Sequence, residues 1–131
     1  EATLDVSGCP DLVPALALMA ALRRNETTRI VGAARLRMKE SDRLTSVTDV
    51  LSRLGADIRE EPDALTIRGK EILSGGTVSS WNDHRIAMMA AIGATRCAAP
   101  VTLTGAEAVN KSYPAFWEDF QRLGGVLEES T

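Results

Sequence analysis

Along this chain, short β-branched stretches give way in turn to runs whose apolar positions recur at helical spacing. Thr3 to Val6 reads as a strand, and Gly8, Cys9 and Pro10 as the turn after it. Asp11 then heads an apolar run to about Arg24 that predicts a helix. Pro14 falls in its first turn, where a missing N–H removes no hydrogen bond. Asn25 and Glu26 close that helix, and Thr27 to Val31 predicts a second strand. Leu44, Val47, Val50, Leu51 and Leu54 return to helical spacing, with Gly55 as a C-cap candidate. Ala56 to Glu60 and Ala64 to Arg68 predict two strands joined by a turn at Pro62 and Asp63, and the polar, glycine-bearing Lys70 to Gly76 reads as a linker.

After the linker the order of elements repeats. Thr77 to Ser79 predicts a strand, Asp83 to Arg96 a helix, Val101 to Thr104 a strand, Tyr113 to Leu123 a helix and Val126 to Glu129 a last strand. DLVPALALMAA from Asp11 echoes DHRIAMMAA from Asp83, TRIVGA ending at Ala33 echoes VTLTGA ending at Ala106, and RLGADIREE echoes RLGGVLEES. Asp11 stands as far from Asp83 as Lys39 does from Lys111. The expectation is an α/β fold of two pseudo-symmetric βαβαβ-type units, one over about residues 1–70 and one over about 77–131.

Composition narrows the class. A chain of 131 residues with 44% hydrophobic and 25% charged residues is long enough for one domain with a real core. Its net charge of −3 points to no nucleic-acid or membrane surface, so any basic site must be local. No apolar run reaches transmembrane length and no signal peptide is visible, which predicts the cytoplasm. Cys9 and Cys97 sit in or beside apolar segments and read as buried reduced thiols. With one histidine and no Cys/His cluster, no metal is expected. The chain opens at Glu1 directly into a strand pattern, as an excised piece of a larger protein or a chain with a trimmed N-terminus would.

The chemistry is concentrated between Arg35 and Leu44, where Arg35, Arg37, Lys39 and Arg43 surround Glu40 and Asp42 in a strand-to-helix loop. Ser41 is a plausible N-cap, which puts Arg43 in the first turn of the helix. A cation is disfavoured there, because the free N–H groups and the helix dipole already make that end positive, unless an anion binds between them. The alternative is that Arg43 pairs with Asp42 or Glu40 in a solvated cluster. Arg85 in WNDHR repeats the arrangement, and Lys111 in AVNKSYP precedes a helix opened by Pro114, so that three helix N-termini carry cations. That predicts a common anion; separate salt bridges such as Asp83 to Arg85 are the competing explanation. Asp11 and Glu40 fall inside the basic group, without a glycine-rich phosphate loop. A carboxylate near cations stays ionised and serves as a base, and a less solvated one holds a proton and serves as an acid. Against this, Asp11 also suits an N-cap and Glu40 a partner for Lys39. His84 reads as a structural hydrogen-bond former, and Met88, Met89, Trp81 and Trp117 as packing.

RMKESDRL at Arg37 to Leu44, with CPD at Asp11, NDHR at Asn82 to Arg85 and NKSYP at Lys111, resembles the signature of 5-enolpyruvylshikimate-3-phosphate synthases, four motifs in the family's order across nearly the whole chain. The resemblance implies the C-terminal third or so of a two-domain enzyme whose domains are each three βαβαββ units, so that this piece is two units of one enolpyruvyl-transferase domain, an inside-out α/β barrel. It implies transfer of the enolpyruvyl group of phosphoenolpyruvate to the 5-hydroxyl of shikimate 3-phosphate through a tetrahedral intermediate, with no cofactor, metal or covalent enzyme. By motif, Asp11 takes the 5-hydroxyl proton; Glu40 protonates the methylene carbon and later recovers that proton. Arg43, Arg85 and Lys111 clamp phosphoenolpyruvate, where glyphosate also binds, and Lys39 faces shikimate 3-phosphate. Arg35 is a substrate-side candidate at a position where the family varies between asparagine and arginine. The remainder of the same polypeptide would be the chain's partner, and the isolated piece would have negligible turnover. The rivals are the sister transferase acting on UDP-N-acetylglucosamine, a non-catalytic anion-binding module, and a domain of a fused pathway polypeptide.

Overall fold

The computed structural model describes residues 1–129. Its elements follow the order β1 (Ala2–Asp5), α1 (Val13–Ala21), β2 (Thr27–Val31), α2 (Arg43–Arg53), β3 (Asp57–Glu60), β4 (Leu65–Arg68), β5 (Gly76–Ser79), α3 (His84–Ala94), β6 (Val101–Thr104) and α4 (Phe116–Arg122). The fold is α/β, as the patterning predicts. Short 3-10 helices at Pro10–Leu12, Ala34–Met38 and Ala106–Lys111 lead toward α1, α2 and α4.

Four strands form one sheet in the order β1-β2-β4-β3, and β5 and β6 form a second. β1 pairs parallel with β2, Leu4 opposite Ile30, and β5 parallel with β6, Val78 opposite Leu103. Each parallel pair needs a crossover, and α1 and α3 supply the two. β4 runs antiparallel to both β2 and β3. Along β2 and β4 the side chains alternate: Thr28, Ile30, Leu65 and Ile67 are buried, while Arg29 and Arg68 are exposed. One sheet face is therefore solvated and the other covered, the expected result for strands with period-two patterning.

One core joins the two sheets. Leu44, Val47, Val50, Leu51 and Leu54 of α2 and its cap, all fully buried, belong to the same cluster as Val78 of β5 and Ile86 of α3. α1 is apolar on nearly every side and packs on α3, where Gly93 approaches Leu18 closely enough that a Cβ would stand 3.2 Å from its side chain. Trp117, Phe116 and Phe120 form a second cluster with Ala108, Val109 and the Ala87–Ala91 side of α3. Both cysteines are free and half-buried, and burial pushes the Cys97 thiol up. No helix among the described residues is long and apolar enough to cross a membrane.

Four expectations change. α1 stops at Ala21 rather than near Arg24, and a 3-10 turn precedes it. α3 ends at Ala94. α4 begins at Phe116, because Tyr113 precedes Pro114 and that position disfavours helical backbone. Val126 to Glu129 forms no strand: among the described residues nothing lies beside it to accept or donate ladder hydrogen bonds. Ser130, the last residue of the RLGGVLEES echo, lies outside the described residues.

Gly69 continues β4 past the end of α1. A Cβ there would overlap the backbone carbonyl of Arg23 and lie 2.8 Å from the carbonyl oxygen of Ala20. Gly69→Ala is expected to destabilise the chain by roughly 2 kcal/mol, the usual scale of overpacking against atoms that cannot move aside. Urea unfolding checks this, and an unchanged midpoint would contradict it.

Candidate active site

The site forms where the N-terminal ends of α2 and α3 meet the turn that opens α1. Asp42 is the N-cap of α2; its carboxylate accepts from Thr45 N–H at 3.3 Å. Ser41, expected to be the cap, instead donates its hydroxyl to Asp83 at 2.8 Å and lies 2.9 Å from the Ser46 hydroxyl. The helix starts one residue later than expected because the carboxylate reaches the free amide while the serine is held by a buried partner.

Arg43 is the first residue of α2 and is 1% exposed. Its Nε and Nη2 donate to the two carboxylate oxygens of Asp83 at 2.9 and 3.1 Å, its Nη1 donates to Asp11 at 3.1 Å, and Nη2 also meets Glu40. Asp83 caps α3: it accepts the backbone N–H of Arg85 at 3.0 Å and is fully buried. Each Asp83 oxygen thus receives two hydrogen bonds. Burial pushes this carboxyl up, but hydrogen bonds from Arg43 and Ser41, with the charge of Arg43, hold it below the usual aspartate value of 3.8. Asp83 carries more of the site than its sequence context indicates. The expected Asp83 to Arg85 pair exists only through the Arg85 backbone; the side-chain ion pair is with Arg43, on another helix.

Asp11 does not cap α1; it lies in the preceding 3-10 helix and faces three cations. Lys39 Nζ stands 3.6 Å from it, Arg43 3.1 Å and Arg85 3.8 Å. Partial desolvation pushes its carboxyl up, but Lys39, Arg85 and Arg43 outweigh that and hold it below 3.8. Asp11 and Glu40 are about half exposed, at 52% and 44% of their side chains, in contrast to Arg43 and Asp83. The fold therefore gathers Asp11, Lys39, Glu40, Arg43 and Arg85 around one opening. Lys111 joins from the side: its ammonium donates to the carbonyl of Asn82 at 2.6 Å, next to Asp83. It ends a 3-10 helix instead of opening α4, where a cation complements the dipole, so the expectation of a third helix N-terminus bearing a cation is corrected. Arg35 is exposed and, among the described residues, forms no ion pair with the group.

The loop that delivers Asp83 is strained. Trp81 and Asn82 both have positive φ, at 57° and 53°, although neither is glycine. Side-chain hydroxyls hold it: Ser79 accepts from Trp81 N–H and Ser80 from Asn82 N–H, and the Trp81 indole donates to Asp49 of α2 at 3.0 Å. Trp81 is thus a brace across α2 more than a packed core residue.

His84 follows Asp83, and its Nδ1 is buried without a hydrogen-bond partner. Glu40, Asp83 and His84 each place a ligating atom within 4.8 Å of the others. Both carboxylates already face Arg43, so a cation would have to displace the guanidinium. The arrangement suits an anion, which the cations can meet, better than a metal ion.

The family model described as EPSP synthase (3-phosphoshikimate 1-carboxyvinyltransferase) matches residues 2–120. The chain belongs to the EPSP synthase family. It is similar to the 3-phosphoshikimate 1-carboxyvinyltransferases of Clostridium kluyveri, 55% identical over 126 residues, and Clostridium acetobutylicum, 56% over 126 residues. Each alignment covers 96% of this chain, which spans 29% of the relative's length. Among solved structures it is similar to an EPSP synthase from Acinetobacter baumannii, with a TM-score of 0.88 and 37% identity, over 96% of this chain and 30% of the other. The EPSP synthase likeness extends across both sheets and so includes every element around Arg43.

Removing Asp83 leaves the buried Arg43 charge without the one buried counter-ion it has among the described residues. Asp83→Asn is expected to lower unfolding free energy by about 3 kcal/mol, whereas Glu40→Gln, at an exposed pair, changes it by less than about 1 kcal/mol. Denaturant titration distinguishes them; equal losses would refute a buried anchor. Because the folded value of Asp83 is depressed, its contribution is complete above the ordinary aspartate value of 3.8 and is lost as pH falls through the folded value. Stability of the unsubstituted chain should therefore hold above about pH 5 and fall below it, with a shallower acid limb in Asp83→Asn.

Proposed function

We propose that the chain is one wall of the active-site cleft of a larger, two-domain enzyme that transfers the enolpyruvyl group of phosphoenolpyruvate to the 5-hydroxyl of shikimate 3-phosphate. The observation that carries this is the convergence of two half-exposed carboxylates with Lys39, Arg43 and Arg85 at two helix N-termini. The family match and the share of the relatives that the chain spans support it. Phosphoenolpyruvate is the ligand read for Arg43, Arg85 and Lys111, and shikimate 3-phosphate for Lys39, Asp11 and the exposed Arg35. The two free thiols accord with a reducing cytoplasm.

In the forward direction Asp11 takes the proton of the 5-hydroxyl as its oxygen bonds to the substituted carbon of phosphoenolpyruvate. Glu40 gives a proton to the methylene carbon, which leaves a tetrahedral adduct. The bond between that carbon and the phosphate oxygen then breaks, Asp11 returns the hydroxyl proton to the departing inorganic phosphate, and Glu40 takes a proton back from the methyl carbon to restore the double bond. Asp11, held ionised by its three cations, is suited to the base role. The cations stay in place while charge develops on the phosphate, which is where preorganised donors lower a barrier most. Substrate anions would displace the two exposed carboxylates from Arg43 and leave Asp83 in place.

Backbone amide shifts on adding phosphate, phosphoenolpyruvate and shikimate 3-phosphate are expected to converge on Lys39 to Leu44, Asp83 to Arg85 and Lys111. Shifts scattered over the surface, or none, would count against an anion site at this opening. Turnover by the isolated chain should be negligible, since half of a clamp forfeits most of the orientation. In the full-length polypeptide Glu40→Gln should lower kcat by at least about a hundred-fold. Retained turnover there would end the acid assignment.

A further inference from the structure

Of the cations in the charged stretch, Lys39 and Arg43 face the opening, and Arg37 is engaged on the other side, against the β3–β4 hairpin. Its Nε donates to the carbonyl of Pro62 at 3.0 Å and its Nη2 to the carbonyl of Glu61 at 3.0 Å. Its Nη1 meets Asp42 at 2.9 Å and Glu60 at 3.0 Å. Thr45 closes the ring, its hydroxyl donating to Glu60 at 2.8 Å while its amide is capped by Asp42. One guanidinium therefore ties together the 3-10 helix, the first turn of α2, the end of β3 and the β3–β4 turn.

Arg37 and Asp42 bracket Met38 to Ser41, which includes both Lys39 and Glu40. The far end of the segment is held by Ser41, whose hydroxyl donates to Asp83 at 2.8 Å. On the near side Leu36 is buried and Ala33 N–H bonds the carbonyl of Asp63 at 2.9 Å, so that at Lys39 and Glu40 themselves the staple is the nearest anchor outside the charged group. We propose that Arg37 is a positioning residue, a staple across Met38 to Ser41 that holds Lys39 and Glu40 toward Asp11 and Arg43 before a ligand arrives. The inference rests on the substrate roles read above for Lys39 and Glu40, but its geometry is independent of them. A planar fork with donors on three nitrogens fits two carboxylates and two carbonyls at once; a lysine ammonium has one nitrogen and cannot span them. Because the pairs are partly solvated, the staple adds little to global stability; its effect lies in narrowing the conformations of a short loop.

The test compares the chain with Arg37→Lys, which keeps the charge. The first readout is the carbon-detected titration of Asp11, which Arg37 does not touch and whose carboxyl is held down in part by Lys39. In Arg37→Lys its midpoint should move up toward 3.8, with the thermal midpoint nearly unchanged. The second is inorganic phosphate affinity by amide shifts, expected to weaken roughly ten-fold, the lower end of what loss of an orienting partner does. An unmoved Asp11 midpoint together with unchanged phosphate affinity would overturn the proposal. If the parent chain binds no phosphate, the substrate reading fails by itself, and the Asp11 midpoint still decides on Arg37. Should Arg37→Lys not fold, Glu60→Gln weakens the same staple from the strand side, and its Asp11 midpoint should rise by a smaller amount; no rise would likewise overturn the inference.

Discussion

A guanidinium with 1% of its surface in water has to be neutralised within the protein, and the site is arranged around that requirement at Arg43. Desolvating an arginine and an aspartate costs several kcal/mol for each ion, and the mutual attraction compensates only when geometry is good and the remaining donors and acceptors are used. Both conditions hold. Asp83 meets Arg43 through two parallel hydrogen bonds, and its other lone pairs take Ser41 and the Arg85 amide. Since Arg43 begins α2 and Asp83 caps α3, the pair also fixes how the two helices approach. Ser46, buried on the next turn of α2, extends the polar network without leaving an unsatisfied group there.

The same pair divides the charges of the opening into a fixed and an exchangeable set. Asp83 is inaccessible, and nothing arriving from solvent can compete for it. Asp11 and Glu40 face solvent and occupy the remaining edge of Arg43 and the approaches of Lys39 and Arg85. Asp11, Glu40 and Asp83 balance Lys39, Arg43 and Arg85, so that Lys111 at the side leaves the opening with one excess positive charge and a potential that alternates over short distances. Under the proposed function, an anion of suitable shape would gain the cations and release the two carboxylates for proton transfer, which would couple binding to acid-base chemistry through one arginine.

Period and spacing made most of the fold legible. The β-branched run of β2, the apolar stripe of α2, the glycine after Leu54 and the turn at Pro62 and Asp63 all act within a few residues, so their consequences can be read locally. The misreadings have physical causes of the same range or longer. Helix starts slipped wherever a side chain preferred a distant partner to a nearby amide: Ser41 went to Asp83, and Asp11 to a group of cations. Lys111 ends the 3-10 helix and does not open α4, because the residue before Pro114 delays α4 and the 3-10 helix takes the preceding segment. Val126 to Glu129 has a strand pattern but, among the described residues, no neighbouring strand to take its backbone hydrogen bonds.

By itself the sequence determined the order of strands and helices, the loop in which the charges collect, and membership of a family through motifs such as RMKESDRL and NDHR. These depend on local propensity and on the identity of neighbouring residues. Only the tertiary structure decided which cation meets which carboxylate. Arg43 lies forty positions from Asp83 and thirty-two from Asp11, and an ion pair forms only where both groups are brought within about 4 Å. That distance is set by how α1, α2 and α3 pack on their common core, and so are the burial of Arg43, the exposure of Glu40 and the turning of Arg37 toward the β3–β4 hairpin.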